Sequence, residues 1–152
     1  MASNRHLGRI VALQSLYEFE FRTQAEDASV SIDEILERNL ERYKDEIDDT
    51  EFVTTLLKGI IEKQAELDDQ LTPLAPEWPL SQVARIDRNI LRLGLFELLH
   101  RSEQVPPKVV INEAVELAKA FGSDNSSKFI NGVLGTAYRT LVEGKSDARA
   151  EV

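Results

Sequence analysis

Residues 105–134, VPPKVVINEAVELAKAFGSDNSSKFINGVL, predict two helices joined by a polar turn. Pro106 and Pro107 lack the backbone N–H that a helix interior requires, so a helix begins at this pair. Apolar residues then recur at the spacing of one helical face, and Gly122 is expected to end the helix as a left-handed cap. The apolar face comprises Val110, Ala114, Leu117 and Phe121.

The segment after Gly122 carries polar side chains that helix packing does not require. Ser123 and Asp124 are expected to cap a second helix, whose apolar stripe runs from Ile130 to Leu141. Phe129 stands at the margin of that stripe, and it is either a core residue or an exposed aromatic platform. The polar exterior around it comprises Asn125, Lys128 and Asn131.

Helical periodicity extends along most of the chain and predicts an all-α protein of two packed helical subdomains. The proline-rich stretch TPLAPEWP, residues 72–79, marks the expected boundary. We therefore expect an N-terminal subdomain over 1–72, a C-terminal subdomain over 73–142 and a frayed tail over 143–152. Trp78, in the boundary stretch, is interpreted as a packing anchor.

Further helices are expected at 4–21, from the Ser31 cap to about residue 43, at 49–71 and at 80–101. The first of them is expected to point Tyr17 and Phe21 inward. Its start carries Arg5, His6 and Arg9, a basic cluster that is either a set of solvated charges or a contact for phosphate.

The helix predicted at 80–101 carries Arg85, Arg88 and Arg92 along one stripe. Two interpretations remain open. Arg92 pairs with a buried carboxylate such as Glu97 or Glu113, or the stripe faces RNA or a protein partner.

Composition and motifs favour a binding protein over an enzyme. The net charge is -9, and the acidity is confined to 23–72, where fifteen acidic residues face five basic ones. Cysteine is absent, and no nucleophile elbow, phosphate loop, dinucleotide-binding turn or HExxH pattern occurs. We expect no catalytic residue, no cofactor and no metal. The chain also lacks a signal peptide and a membrane span, so a cytoplasmic protein is expected.

Three motifs in order resemble the NusB family of transcription antitermination factors. They are ALQSLYEFE in the first helix, RIDRNILRLGLFELLHR at 85–101, and KVVINEAVELAKAFGSDNSSKFINGVL at 108–134. The resemblance implies an all-helical fold of about seven helices in two subdomains. It also implies binding of the boxA element of ribosomal RNA leaders together with NusE, the small-subunit ribosomal protein. The complex would act on RNA polymerase and suppress premature termination.

The resemblance also assigns residues. The N-terminal arginine motif of the family falls on Arg5, His6 and Arg9, with fewer arginines than many relatives carry. The RNA-facing turn and helix start fall on Asn125, Lys128 and Phe129, and Asn131 adds an amide that can read base edges. The partner-facing surface includes Tyr17 and Asp87, to which the stripe residue Arg88 is added.

Two alternatives come from other classes of protein. A similar domain precedes the catalytic part of some RNA cytosine methyltransferases, so the chain could be the RNA-binding half of such an enzyme. It could also be a helical interaction module without RNA, such as a homodimer.

Overall fold

The structure, a computed structural model, describes residues 4–76 and 78–143. These residues form seven α-helices and contain no β-strand, which confirms the all-α prediction. The α-helices are α1 (Arg5–Gln24), α2 (Ile32–Arg42), α3 (Thr50–Glu62), α4 (Gln64–Leu71), α5 (Arg85–His100), α6 (Pro107–Phe121) and α7 (Ser126–Ala137). Short 3-10 turns occur at Thr72–Leu74 and Leu80–Gln82, and a π-helical segment, Tyr138–Glu143, follows α7. The tail expected over 143–152 lies outside the described residues from 144 onward.

The chain divides into two compact units, Met1–Glu62 and Lys63–Val152. In the first unit, α1 packs against α2 and α3. The N-terminal caps of α1 and α2 are side chains that accept backbone N–H groups: Asn4 accepts from Leu7 at 3.2 Å, and Ser31 accepts from Glu34 at 3.4 Å. The predicted Ser31 cap is therefore confirmed, and it fixes the start of α2.

The second unit is built around α5. This helix packs against α4, α6 and α7, and α6 packs against α7. Eleven of its sixteen residues are buried, among them every residue from Ile90 to Leu98. No helix in the described part of the chain is both long enough and apolar enough to cross a membrane.

Two predicted helix boundaries are wrong. The helix expected over 49–71 is divided at Lys63, whose carbonyl instead accepts the Leu67 N–H and starts α4. The helix expected from residue 80 begins at Arg85, because Val83 and Ala84 are extended. Neither break coincides with a glycine or proline, the residues that punctuate helices most clearly in a sequence.

Three further expectations are corrected by the structure. The periodicity of the first helix predicts that Tyr17 and Phe21 face inward, but they are 40% and 53% exposed. Gly122 ends α6 in an extended conformation, with φ at -94°, and is not a left-handed cap. A side chain is excluded there for a steric reason, since a Cβ on Gly122 would lie 2.5 Å from the Ser126 hydroxyl.

A second glycine, Gly94, lets α5 and α7 approach closely. A Cβ at this position would lie 2.6 Å from Cδ1 of Leu134, which is fully buried. We expect Gly94→Val to lower the free energy of unfolding by about 1–3 kcal/mol, because the added methyl groups overpack the core.

Gly132 in α7 is the matched control, since a Cβ added there would have no other atom within 4 Å and the backbone φ is not positive. Gly132→Ala should raise the free energy of unfolding by up to about 1 kcal/mol through helix propensity alone. Urea denaturation followed by circular dichroism measures both variants. Equal stability of the Gly94 variant and the native chain would show that the α5 and α7 contact tolerates a side chain.

Candidate nucleic-acid interface

The basic cluster at the start of α1 is organised around one aromatic ring. The guanidinium carbons of Arg5 and Arg9 lie 4.8 Å and 5.3 Å from the centroid of Phe52 in α3. Arg5 is also within 3.8 Å of the Asp49 carboxylate, and its side chain is 35% exposed. His6 is exposed beside it. Cations over an aromatic face are attracted by the ring quadrupole, so Phe52 holds this end of α1 against α3.

Arg9 is buried, with 2% of its surface exposed. A phosphate contact requires a guanidinium that solvent and ligand can reach. The structure therefore gives Arg9 a packing role against Phe52, and the accessible basic groups of the cluster are Arg5 and His6.

The turn between α6 and α7 is fastened by Ser126. Its hydroxyl accepts the Ser123 N–H at 2.9 Å and donates to Oδ2 of Asp87 in α5 at 2.9 Å. The cap of α7 is Asn125, which makes no capping hydrogen bond with its side chain, so the predicted caps Ser123 and Asp124 are wrong. The Asn125 amide is exposed at the helix start.

The first turns of α7 present the other predicted residues. Lys128 and Asn131 are exposed, and Phe129 is half-buried. The ring is thus neither a core residue nor a fully solvated one. Proteins bind single-stranded nucleic acid with such a set of side chains. The aromatic ring stacks on a base, the cation contacts phosphate, and the amides form hydrogen bonds with base edges.

A cavity of about 330 Å³ adjoins this surface. Trp78, Val83, Asp87 and Phe129 line it together with residues of the α6–α7 turn. Trp78 is 59% exposed, so it is not the packing anchor that its position suggested. Sequence reasoning missed this cavity because Asp87 and Ser126 are 39 positions apart, and no local pattern predicts that they meet.

The predicted partner-facing residues are in different environments. Tyr17 in α1 is 40% exposed, whereas Asp87 is 9% exposed and bonded to Ser126. Arg88 donates through Nη1 to the carbonyls of Leu80 and Val83, at 3.3 Å and 3.1 Å, and so stabilises the turn before α5.

Arg92, in the same predicted stripe, pairs with a carboxylate. This agrees with the interpretation that Arg92 forms an ion pair inside the protein. Asp68 in α4 is a carboxylate partner that the sequence interpretation did not name. The bond is bidentate, with Nε to Oδ1 at 2.7 Å and Nη2 to Oδ2 at 2.8 Å. Arg92 is 4% exposed, so it belongs to the interior of the second unit.

Comparison with known proteins gives consistent matches over most of the chain. The NusB family model matches residues 6–139. A transcription antitermination protein NusB from Chloroflexus aggregans is 47% identical over 149 residues, which cover 97% of this chain and 95% of the relative.

Solved structures of NusB proteins are also similar to this chain. A T. maritima NusB has a TM-score of 0.80 at 32% identity and covers 91% of this chain and 93% of its own. A structure of the antitermination factors NusB and NusE in complex with double-stranded RNA has a TM-score of 0.76 at 24% identity, over 90% of this chain and 96% of that chain. This second likeness shows the shared fold.

Proposed function

The chain belongs to the NusB family of transcription antitermination proteins, a non-enzymatic family, and from that premise we propose how it works. It binds boxA-type single-stranded leader RNA together with NusE. The resulting complex joins RNA polymerase and suppresses premature termination. Such a factor works beside RNA polymerase, in the bacterial cytoplasm.

The observation that carries the RNA proposal is the start of α7. Phe129 supplies a half-exposed ring on which a base stacks, and Lys128 is one residue away for the phosphate backbone. Asn125 and Asn131 are exposed amides, each with a donor and an acceptor for base edges. The positive end of the helix dipole at this start also favours phosphate.

The α1 cluster supplies a second contact to phosphate through Arg5 and His6. Arg9 supports them by packing on Phe52. This is a small number of cations, and the counterion release that drives single-strand binding scales with the number of phosphates neutralised. We therefore expect RNA binding by this chain alone to be weak and NusE to strengthen it.

Tyr17 is the residue through which we expect NusE to dock, because it is the exposed aromatic among the predicted partner-facing residues. Exposed tyrosine provides a large, rigid contact with a polar tip, the type that dominates protein interfaces. In the second unit, Asp87 and Arg88 remain proposed partner contacts, and internal hydrogen bonds to Ser126 and to the Val83 carbonyl orient their side chains.

The experiment for the proposal is a binding titration. Labelled boxA RNA and a scrambled RNA of equal composition are titrated with the full chain, with and without saturating NusE, by fluorescence anisotropy. We expect boxA RNA to bind more tightly than scrambled RNA when NusE is present. Equal affinity for boxA RNA and scrambled RNA, both with and without NusE, would contradict the proposal.

The two alternatives predict other outcomes. A homodimer that lacks RNA binding would elute at a constant dimer mass in size-exclusion chromatography, whether or not boxA RNA is added. The exposed Val109 and Phe121 of α6 are the apolar side chains that such a contact would use. The RNA-binding half of a cytosine methyltransferase would bind RNA without a response to NusE.

Salt dependence tests the α1 cluster. Arg5→Ala should flatten the slope of log affinity against log salt by about 0.7, the value for one phosphate contact on a single strand. Arg9→Ala is the matched control, since it removes the same charge from a buried position. It should lower thermal stability more than Arg5→Ala does. An unchanged slope in the Arg5 variant would show that Arg5 is not a phosphate contact.

A further inference from the structure

The start of α3 carries a carboxylate that faces the α1 cluster of Arg5, His6 and Arg9. Asp49 precedes α3, and its Oδ1 accepts the Phe52 N–H at 3.0 Å, as the side chain of a helix N-cap does. Its other oxygen, Oδ2, lies 3.8 Å from Nη2 of Arg5. This distance exceeds that of a hydrogen bond, so the two groups form a loose ion pair. The cap therefore holds a negative charge beside a cation of the proposed RNA surface.

The position of Arg5 does not depend on this ion pair alone. Its guanidinium carbon lies 4.8 Å from the centroid of the Phe52 ring, and its Nε is buried. The side chains of Arg5 and Asp49 are nevertheless 35% and 37% exposed. Because Nε is buried, a phosphate would contact the terminal nitrogens of Arg5, one of which faces Asp49. The phosphate and the carboxylate therefore require the same end of the guanidinium.

The two anions differ in how closely they can bind Arg5. A phosphate can approach a guanidinium to about 2.8 Å and form two parallel hydrogen bonds. The Asp49 carboxylate is restrained at 3.8 Å, because its Oδ1 is bonded to the backbone of α3. When a phosphate binds Arg5, this carboxylate remains next to it, and the two negative charges repel each other. Asp49 thus weakens the phosphate contact without being able to replace it.

We propose that Asp49 competes with RNA phosphate for Arg5 and limits the affinity of the α1 cluster, an inference that rests on the proposed RNA-binding function. In the free protein, Asp49 partly neutralises the cation. In the RNA complex, Arg5 stays on the Phe52 ring and turns its terminal nitrogens to phosphate, while Asp49 remains at the cap. Because phosphate contacts carry no sequence information, this competition lowers the affinity for all RNA sequences by the same factor.

Asp49→Asn tests the competition, because asparagine removes the charge and keeps an oxygen that accepts the Phe52 N–H. Labelled boxA RNA is titrated with the full chain and saturating NusE at low salt, by fluorescence anisotropy. We expect the variant to bind about two- to fivefold more tightly than the native chain, the change that corresponds to one exposed ion pair. Scrambled RNA should gain the same factor. Thermal melting should give native stability, since asparagine and aspartate cap helices equally well.

Asp48→Asn is the matched control. Asp48 is an exposed neighbour without an ion pair among the described residues, so this variant removes the same charge and leaves the contact between Asp49 and Arg5 intact. It should raise the RNA affinity less than Asp49→Asn does. Arg5→Ala provides a second control. In that background, Asp49→Asn should raise the affinity no more than Asp48→Asn does, because the contested cation is absent.

Three results would overturn the inference. Unchanged or lowered RNA affinity of the Asp49→Asn variant at native stability, with boxA binding by the native chain intact, would reject the competition and leave the proposed function standing. An equal gain from Asp49→Asn in the native and the Arg5→Ala backgrounds would show that Asp49 acts through net charge and not through Arg5. Absence of boxA binding by the native chain and by every variant would reject the proposed function together with the competition.

Discussion

Arg92→Ala is expected to lower the free energy of unfolding by about 3 kcal/mol, the lower end of the range for breaking a buried ion pair. The guanidinium is 4% exposed and holds both oxygens of Asp68, and it also donates to Oδ1 of Asn89 at 3.1 Å. Removal of the Arg92 side chain leaves Asp68 without this partner and leaves a space between α5 and α4. The lower end applies because the Asp68 side chain keeps 27% exposure and regains some hydration.

Arg38→Ala is the matched control for Arg92→Ala. Arg38 also pairs with a carboxylate, Glu18, but its side chain is 49% exposed. A surface ion pair of this kind contributes about 0–1 kcal/mol. Urea denaturation followed by circular dichroism measures both variants. Similar losses in the two variants would contradict a structural role for the buried pair.

Phe129→Ala is expected to weaken boxA binding by about 5- to 150-fold, which corresponds to one lost stacking contact of about 1–3 kcal/mol. The ring is half-buried at the start of α7 and lines the cavity with Trp78. Helicity should be retained, because alanine favours a helix and the stripe from Ile130 onward is untouched. Anisotropy titration with NusE present gives the affinity, and thermal melting gives the stability.

Phe121→Ala separates stacking from packing. Phe121 is another aromatic of the second unit, 40% exposed, and it does not line the cavity. We expect the Phe121→Ala variant to lose about as much apolar contact as the Phe129→Ala variant and to keep its RNA affinity. If both variants lose affinity only in proportion to their stability, Phe129 is a packing residue and not a platform for a base.

Local patterns in the sequence were sufficient for most of the helices. The proline pair at the start of α6, the Ser31 cap and the burial of Val110, Ala114 and Leu117 depend on neighbours within one or two turns, and they are found as predicted. Phe121, expected on the same face of α6, is 40% exposed.

The split at Lys63 is not predicted by the sequence, because neither a glycine nor a proline stands at that position. Tyr17 and Phe21 share the apolar spacing of α1 and are nonetheless exposed, since spacing alone does not show which side chains a neighbouring helix covers.

The candidate site was only partly predictable, because its contacts join distant positions. Asn125, Lys128 and Asn131 were singled out as polar residues that packing did not need, and they are exposed. By contrast, the bonds from Arg92 to Asp68 and from Ser126 to Asp87 span 24 and 39 positions. Sequence periodicity gives no information about such pairs. The cavity at Asp87 therefore could not be predicted from the sequence and is found only in the folded structure.

Read-through of a terminator tests the central claim of antitermination most directly. A template with boxA upstream of a terminator is transcribed by RNA polymerase in a bacterial extract depleted of its own NusB, with NusE present. Adding the native chain should raise the fraction of full-length RNA, and the Phe129→Ala variant or a scrambled boxA should remove most of that increase. An equal fraction of full-length RNA with and without the native chain would contradict a role in antitermination.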